Sequence, residues 1–188
     1  MGGSVDPTSG MVIWDAHVPL DEQPRYYAAH PPHVLDGLNC TAIDLPGFRF
    51  DGHGEPINTI FELACGCGGI LFTVLAHVQA GELIPPIELE CSACDSTYVV
   101  FDPRRQGYDG ALGFGEQYEV DDRVEALNVD NLDAPHRIIA RFEFPSDVLG
   151  APETAADKCV AEDLFSWITI LGRDPRGAPV IVFDYECA

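Results

Sequence analysis

The chain has 188 residues, is 46% hydrophobic with ten Phe, and carries 31 acidic against 10 basic residues, a formal net charge of −21. At this length folding buries roughly 70% of the surface of the unfolded chain, enough for one sizeable core. The charge repels nucleic acid and anionic membranes and favours cationic partners. No apolar run reaches the ~18 to 20 residues that cross a bilayer, and the chain does not open with a basic region followed by an apolar core; a soluble, cytoplasmic protein is expected.

In chain order, the opening MGGSVDPTSG is small, polar and patternless, and reads as an expression leader over residues 1–10 with Met11 as the expected native start. Residues 11–18 are strand-like. The segment LDEQPRYYAAHPPHVLDGLNC breaks repeatedly at Pro and Gly, which leaves room for one short helix. Past the turn-rich LPGFRFDGHGEP the pattern sharpens: INTIFELA and ILFTVLAHV flank one cysteine pair, and PIELE and STYVVF flank a second. A loop, FDPRRQGYDG, leaves this unit. Residues 116–133 carry seven acids against Arg123 and read as a solvated segment with a partial helix. RIIARFEF alternates, with Ile138, Ala140, Phe142 and Phe144 on one face and Ile139, Arg141 and Glu143 on the other. Val160, Leu164, Trp167, Ile168 and Leu171 are spaced for a helix, yet FSWITIL is rich in β-formers. The reading adopted is a helix over 153–163 passing into a hairpin that returns through VIVFDYE.

Seven cysteines without an export signal argue for thiols in a reducing compartment, so metal binding leads for any cluster. Cys65-Gly66-Cys67 and Cys91-Ser92-Ala93-Cys94 stand 23 residues apart. Two tight turns that each donate two sulfurs suit tetrahedral zinc. Gly68 and Gly69 can bend the chain and bring backbone N–H groups to the sulfurs. A redox pair, unrelated buried thiols and an open catalytic zinc are the rival readings. The strand-like DSTYVVF after Cys94 speaks against the first, since a redox C-x-x-C should open a helix.

The segment 57–102 resembles a zinc ribbon, in which two cysteine-bearing β-turns clamp one metal. The resemblance covers about a quarter of the chain and departs from the usual pattern in its C-x-C first turn. It implies a structural zinc held by Cys65, Cys67, Cys91 and Cys94. Many zinc ribbons serve nucleic-acid machinery, but no Lys or Arg occurs between Arg49 and Arg104, so phosphate contacts from this module are not expected. The expected fold is α+β, mostly β: an antiparallel sheet with an embedded four-cysteine zinc ribbon, 11–188 forming one domain.

Elsewhere, Cys40, Cys159 and Cys187 read as isolated thiols. Arg104 and Arg105, the one adjacent pair of cations, are candidates for holding a carboxylate or phosphate with Tyr108 and His53 nearby, against the plainer reading that they are solvated or paired with acids. His77, in a strand, reads as an ordinary hydrogen-bonded residue. No nucleophile-elbow, Walker, zincin or dinucleotide motif is present. The leading expectation is a non-enzymatic zinc-binding protein whose acidic surface engages a basic protein, as adaptor or inhibitor. The alternative is a hydrolase-like metalloenzyme using His17, His30, His33 and His53 with a carboxylate. A third reading is a housekeeping domain whose acidity reflects a GC-rich genome or a salty cytoplasm.

Overall fold

The structure is a computed structural model that describes residues 3–5, 11–14, 19, 21–46, 57–79, 82–113, 115, 124–126, 135–145, 153–154, 160–173 and 177–187. It is mostly β, as expected. Its strands are β1 (Gly3–Val5), β2 (Met11–Trp14), β3 (Leu38–Ala42), β4 (Ile57–Cys65), β5 (Phe72–Gln79), β6 (Glu82–Cys91), β7 (Thr97–Phe101), β8 (Val124–Ala126), β9 (Ile138–Phe144), β10 (Glu153–Thr154), β11 (Trp167–Arg173) and β12 (Pro179–Glu186). Two short helices, α1 (Gln23–Ala29) and α2 (Gly107–Ala111), and 3₁₀ turns at His33–Leu35 and Ala161–Asp163 complete the described elements.

Three antiparallel sheets result: β12-β11-β9-β4-β3, β7-β6-β5-β8 and β1-β2-β10. The strand β9 lies at the centre of the first because its alternating faces both find cover. Ile138, Ala140, Phe142 and Phe144 enter the main core, which also takes Phe61 and Leu63 from β4 and Phe72, Val74, Ile87 and Leu89 from the four-stranded sheet. One apolar cluster therefore joins the two larger sheets. Rings fill much of it: Phe142 lies edge-on to Phe165 with centroids 4.9 Å apart, and Tyr27 of α1 stacks on Phe144 at 3.7 Å. Helix α1 starts at a Pro in its first turn, where the missing N–H costs nothing, and buries Gln23, Tyr26 and Tyr27.

The opposite face of β9 is buried too, which its polar letters did not suggest. Arg141 and Glu143 are only 3% and 5% exposed. They form an ion pair with each other; Arg141 Nε donates to Asn58 Oδ1 at 2.7 Å and a terminal nitrogen donates to Thr169 Oγ1 at 3.3 Å. Thr169 Oγ1 in turn donates to Asp184 Oδ1 at 2.7 Å, which also accepts from Trp167 Nε1 at 2.7 Å. Burial lowers the Arg141 pKa to about 10, with the Asp184 carboxylate opposing the shift. A buried cation persists because Asn58 of β4, Glu143 of β9 and Thr169 of β11 supply acceptors and the Asp184 carboxylate of β12 adds its charge.

One expectation needs correction. The helix over 153–163 does not occur in its described parts: Glu153–Thr154 pairs with β2 and Ala161–Asp163 is a single 3₁₀ turn, while 155–159 lie outside the described residues. Of the residues whose spacing suggested a helix, Trp167, Ile168 and Leu171 lie in β11, which is buried along most of its length, so its apolar letters fit a helical period as well as a strand period. The hairpin that follows, β11 with β12, does form. In the cysteine-bearing segment 57–102, β4 pairs with β3 and β9, while β5, β6 and β7 belong to another sheet. Of the acidic stretch 116–133, residues 124–126 form β8 and the remainder lies outside the described residues. In β6, Pro85 and Pro86 fall in a bulge, where β5 skips from Ala76↔Ile87 to His77↔Ile84, so neither needs a ladder N–H.

Candidate metal centre

The four clustered cysteines come together at one end of the two large sheets. Cys65 is the last residue of β4 and Cys91 the last of β6, and each strand end runs into a tight turn carrying the second thiol. In the first turn Cys65 N–H donates to Gly69 O at 2.7 Å and Gly68 N–H to Cys65 O at 2.9 Å. In the second, Cys91 N–H donates to Ser96 O and Asp95 N–H to Cys91 O, both at 2.9 Å. Gly68 and Asp95 hold the left-handed conformation that closes each turn, with φ of 88° and 56°. The C-x-C turn is thus the C-x-x-C turn shortened by one residue, with the same plan of hydrogen bonds. Ser92 N–H donates to Leu71 O at 3.0 Å and ties the two turns together.

All four sulfurs lie within 4.8 Å of one another; Cys65 Sγ is 3.5 Å from Cys94 Sγ, and Cys67 Sγ is 3.8 Å from Cys91 Sγ. These spacings are too long for a disulfide, where sulfurs sit about 2.05 Å apart. They match a tetrahedron with metal–sulfur bonds of about 2.3 Å, whose edge is about 3.8 Å. The donor set therefore fits a four-coordinate metal ion. Cys65 and Cys91 are buried, Cys67 and Cys94 exposed, so the cluster sits at the surface with its inner half rooted in the core.

Several donors face the sulfurs. Cys67 N–H lies 3.5 Å from Cys65 Sγ, Ala93 N–H 3.5 Å from Cys91 Sγ, and Gly69 N–H 3.3 Å from Cys67 Sγ. The Tyr98 hydroxyl is 3.0 Å from Cys65 Sγ and the Ser96 hydroxyl 3.3 Å from Cys94 Sγ. Without a metal, the Tyr98 bond and then the Cys67 N–H lower the Cys65 thiol to about 6. The Ser96 bonds lower Cys94, whereas for Cys67 the Gly69 N–H is outweighed by Cys65 and Cys94, which push it up to about 12. Four thiolates around a metal, in a segment without Lys or Arg, would draw on this neutral cage. Gly69 serves by absence: a Cβ there would lie 2.8 Å from Cys91 Sγ, so only glycine lets the backbone pass the sulfurs.

The remaining candidates do not form a second metal centre among the described residues. His17 and His53 lie outside the described residues. His30 Nδ1 meets Tyr26 O at 2.8 Å, whereas His33 Nδ1 meets Asp163 Oδ2 at 2.9 Å, so the two imidazoles serve different partners. Cys40 is half-buried and Cys187 is buried, pressed against Gly107, and neither belongs to the cluster of four; Cys159 lies outside the described residues. Arg104 is bound at both ends of Asp102, by Nε to Oδ1 and NH2 to Oδ2, each at 2.8 Å. Burial raises the Asp102 pKa, but the Arg104 bonds outweigh it and hold the carboxyl below its ordinary value. Arg105 instead lines a cleft with His33 and Asp163, and Tyr108 is anchored by its N–H to Phe165 O at 2.8 Å. Tyr98 and Asp163 were not found in the sequence; the first lies outside the cysteine motif, and the second stands 130 residues from its histidine.

No helix of the described residues is long and apolar enough to cross a membrane. Comparison of the chain with protein-family models, curated proteins and solved structures gives no match, so its chemistry is argued from its own residues.

Proposed function

We propose that the protein is a non-enzymatic interaction module, in which a zinc ion held by Cys65, Cys67, Cys91 and Cys94 braces one end of the two sheets and an acidic sheet face receives a basic protein segment. The observation that carries this reading is the closed donor set. Four sulfurs at tetrahedral spacing leave no position for a substrate or a reactive water, whereas catalytic zinc usually keeps three protein ligands and one open site. Four-sulfur tetrahedra suit zinc or iron, and zinc is the ion that does no redox chemistry.

A bracing metal directs attention to the surface it holds in place. On the outer face of the four-stranded sheet, Leu75, Glu88 and Val99 lie in one register row and Thr73, Glu90 and Thr97 in the next. Val99 is 43% exposed, and Ile70 and Leu71, beside the first cysteine turn, are 44% and 43% exposed. These are three of the four large apolar side chains exposed among the described residues. Carboxylates interleaved with apolar groups, in a segment lacking any cation, suit a Lys/Arg-rich segment with apolar residues of its own. The strand β7 is an edge among the described residues, which offers backbone groups for pairing with such a segment.

Metal analysis and titration test the two halves separately. One zinc per chain is expected, and iron in its place would remove the non-redox reading. A Lys/Arg-rich peptide should bind at low salt and weaken about tenfold on moving towards ~0.5 M salt. Absence of binding at low salt, or unchanged affinity in the Glu88→Gln/Glu90→Gln variant, would defeat the interaction half.

A further inference from the structure

Outside the cysteine centre, the described residues form a cleft of about 230 Å³ between the 3₁₀ turn at 33–35, the loop leading into α2, and the turn at 161–163. Its walls include Val34, Ala111 and Phe165, which are apolar, and His33, Arg105, Gln106 and Asp163, which are not. What matters is which atoms of the polar group remain for a guest.

Asp163 is already committed. Its Oδ1 accepts the backbone N–H of His33 at 2.8 Å and its Oδ2 accepts His33 Nδ1–H at 2.9 Å. This clamp puts the proton of a neutral ring on Nδ1, and leaves Nε2 as the remaining hydrogen-bonding atom. Gln106 is oriented in the same way: its Oε1 accepts the Asp102 N–H at 2.5 Å, so the carboxamide has its NH₂ left to offer. Arg104 is fully engaged with Asp102, but no described carboxylate pairs with its neighbour Arg105. The carboxylate and carboxamide oxygens of the cleft are used internally, while the Arg105 guanidinium and the Gln106 NH₂ are not; the His33 Nε2 becomes a third donor when the ring is protonated, a form that Asp163 stabilises.

We infer that the cleft is a binding site for a small oxyanion, a carboxylate or phosphate group, held by Arg105 with the Gln106 amide and the His33 ring as further donors. A guanidinium matches the paired oxygens of both groups, and the cleft volume suits one such group with a short apolar stem against Phe165. The inference stands apart from the metal centre and from the acidic sheet face, since none of its residues belongs to either.

The His33 ring also gives the site a pH sense. Its pKa is raised first by the bond to Asp163, with Asp36 and Glu162 adding to the shift and burial opposing it. Arg105 is the cation that shares the cleft. For acetate, whose charge stays constant there, affinity should therefore be greatest where His33 is protonated and fall as the ring loses its proton, above the ordinary imidazole range.

The experiment is a titration of the full metal-loaded chain with inorganic phosphate and, separately, acetate, followed by ¹H–¹⁵N NMR at constant ionic strength held with chloride. Saturable shifts confined to the His33 ring, the Arg105 side chain and the Gln106 amide are expected, with dissociation constants of about 1 to 10 mM. Arg105→Ala should weaken binding about tenfold or more. Gln106→Glu keeps the acceptor for Asp102 N–H and replaces the free NH₂ by a carboxylate oxygen, and should abolish binding without disturbing the loop. Arg137→Ala, at the exposed partner of Glu62, should leave affinity unchanged. Tighter phosphate than acetate would assign a phosphate ligand, and the reverse a carboxylate ligand. Shifts that do not saturate by about 50 mM, or affinities equal in the parent, Arg105→Ala and Gln106→Glu, would overturn the inference.

Discussion

The cysteine end and the aromatic centre of the five-stranded sheet stabilise the same fold by different physics. At the centre, Phe142, Phe144, Phe165 and Tyr27 are buried and interlock ring against ring, so their contribution lies in packing that needs no other component. At the cysteine end the turns are short, half of the sulfurs are exposed, and the cage of N–H groups around them gains its purpose only when the thiols are ionised. Packing makes the centre self-sufficient; thiolate chemistry makes the other end conditional. Because Cys65 belongs to one sheet and Cys91 to the other, that condition applies to the joint between them.

The largest expected effect is the removal of one thiol. Cys91→Ala should lose the metal, seen by native mass spectrometry, and lower the unfolding temperature by roughly 10 °C or more, because metal affinity here is folding free energy. A fully folded, equally stable Cys91→Ala chain would erase the distinction between the two regions. Next comes the centre itself. Phe142→Ala removes a ring with no exposure and should cost about 3 to 5 kcal/mol by denaturant titration, with metal content unchanged. Loss of metal in that variant would mean that the two regions are not separable.

Smaller changes sharpen the contrast. Gly69→Ala sets a methyl against Cys91 Sγ and Ala93, and should weaken the metal roughly 10- to 100-fold in a chelator competition while leaving the near-ultraviolet signature of the core intact. Tyr98→Phe removes one hydroxyl from Cys65 and should weaken the metal by about tenfold. That hydroxyl lowers the Cys65 thiol, so the sign for pH is fixed. Protons compete with the metal for the sulfurs, so metal retention should fail as pH falls; Tyr98→Phe, which removes a bond favouring the Cys65 thiolate, should move the release midpoint upward. An unmoved midpoint would remove Tyr98 from the centre.

The two regions also differed in how much of them could be read in advance. The tetrad was legible because its four cysteines fall into two local pairs, each with its glycine or small residue alongside. So was the alternation of β9, whose period survives without knowledge of its neighbours. What could not be read was anything decided by distant pairing. The polar letters of Arg141 and Glu143 look solvent-facing until Asn58, Thr169 and Asp184 arrive from three other strands. Of the adjacent arginines, Asp102 immobilises one and leaves the other beside His33, a division that spacing alone does not reveal. The helical spacing that ran on through Trp167, Ile168 and Leu171 misled for a related reason: burying a strand along most of its length erases the alternation by which strands are recognised.

The bond from Ser92 to Leu71 has a mechanical consequence. It stitches the second turn to the stretch of chain through which β4 crosses over to become β5, so both cysteine loops share one hinge point. If oxidation took the sulfurs, the layers would be expected to gape from this seam while the rings at the far side stay locked. Deuterium uptake should then climb first at residues 63–72 and 89–96, and uniform uptake along the chain would contradict that order.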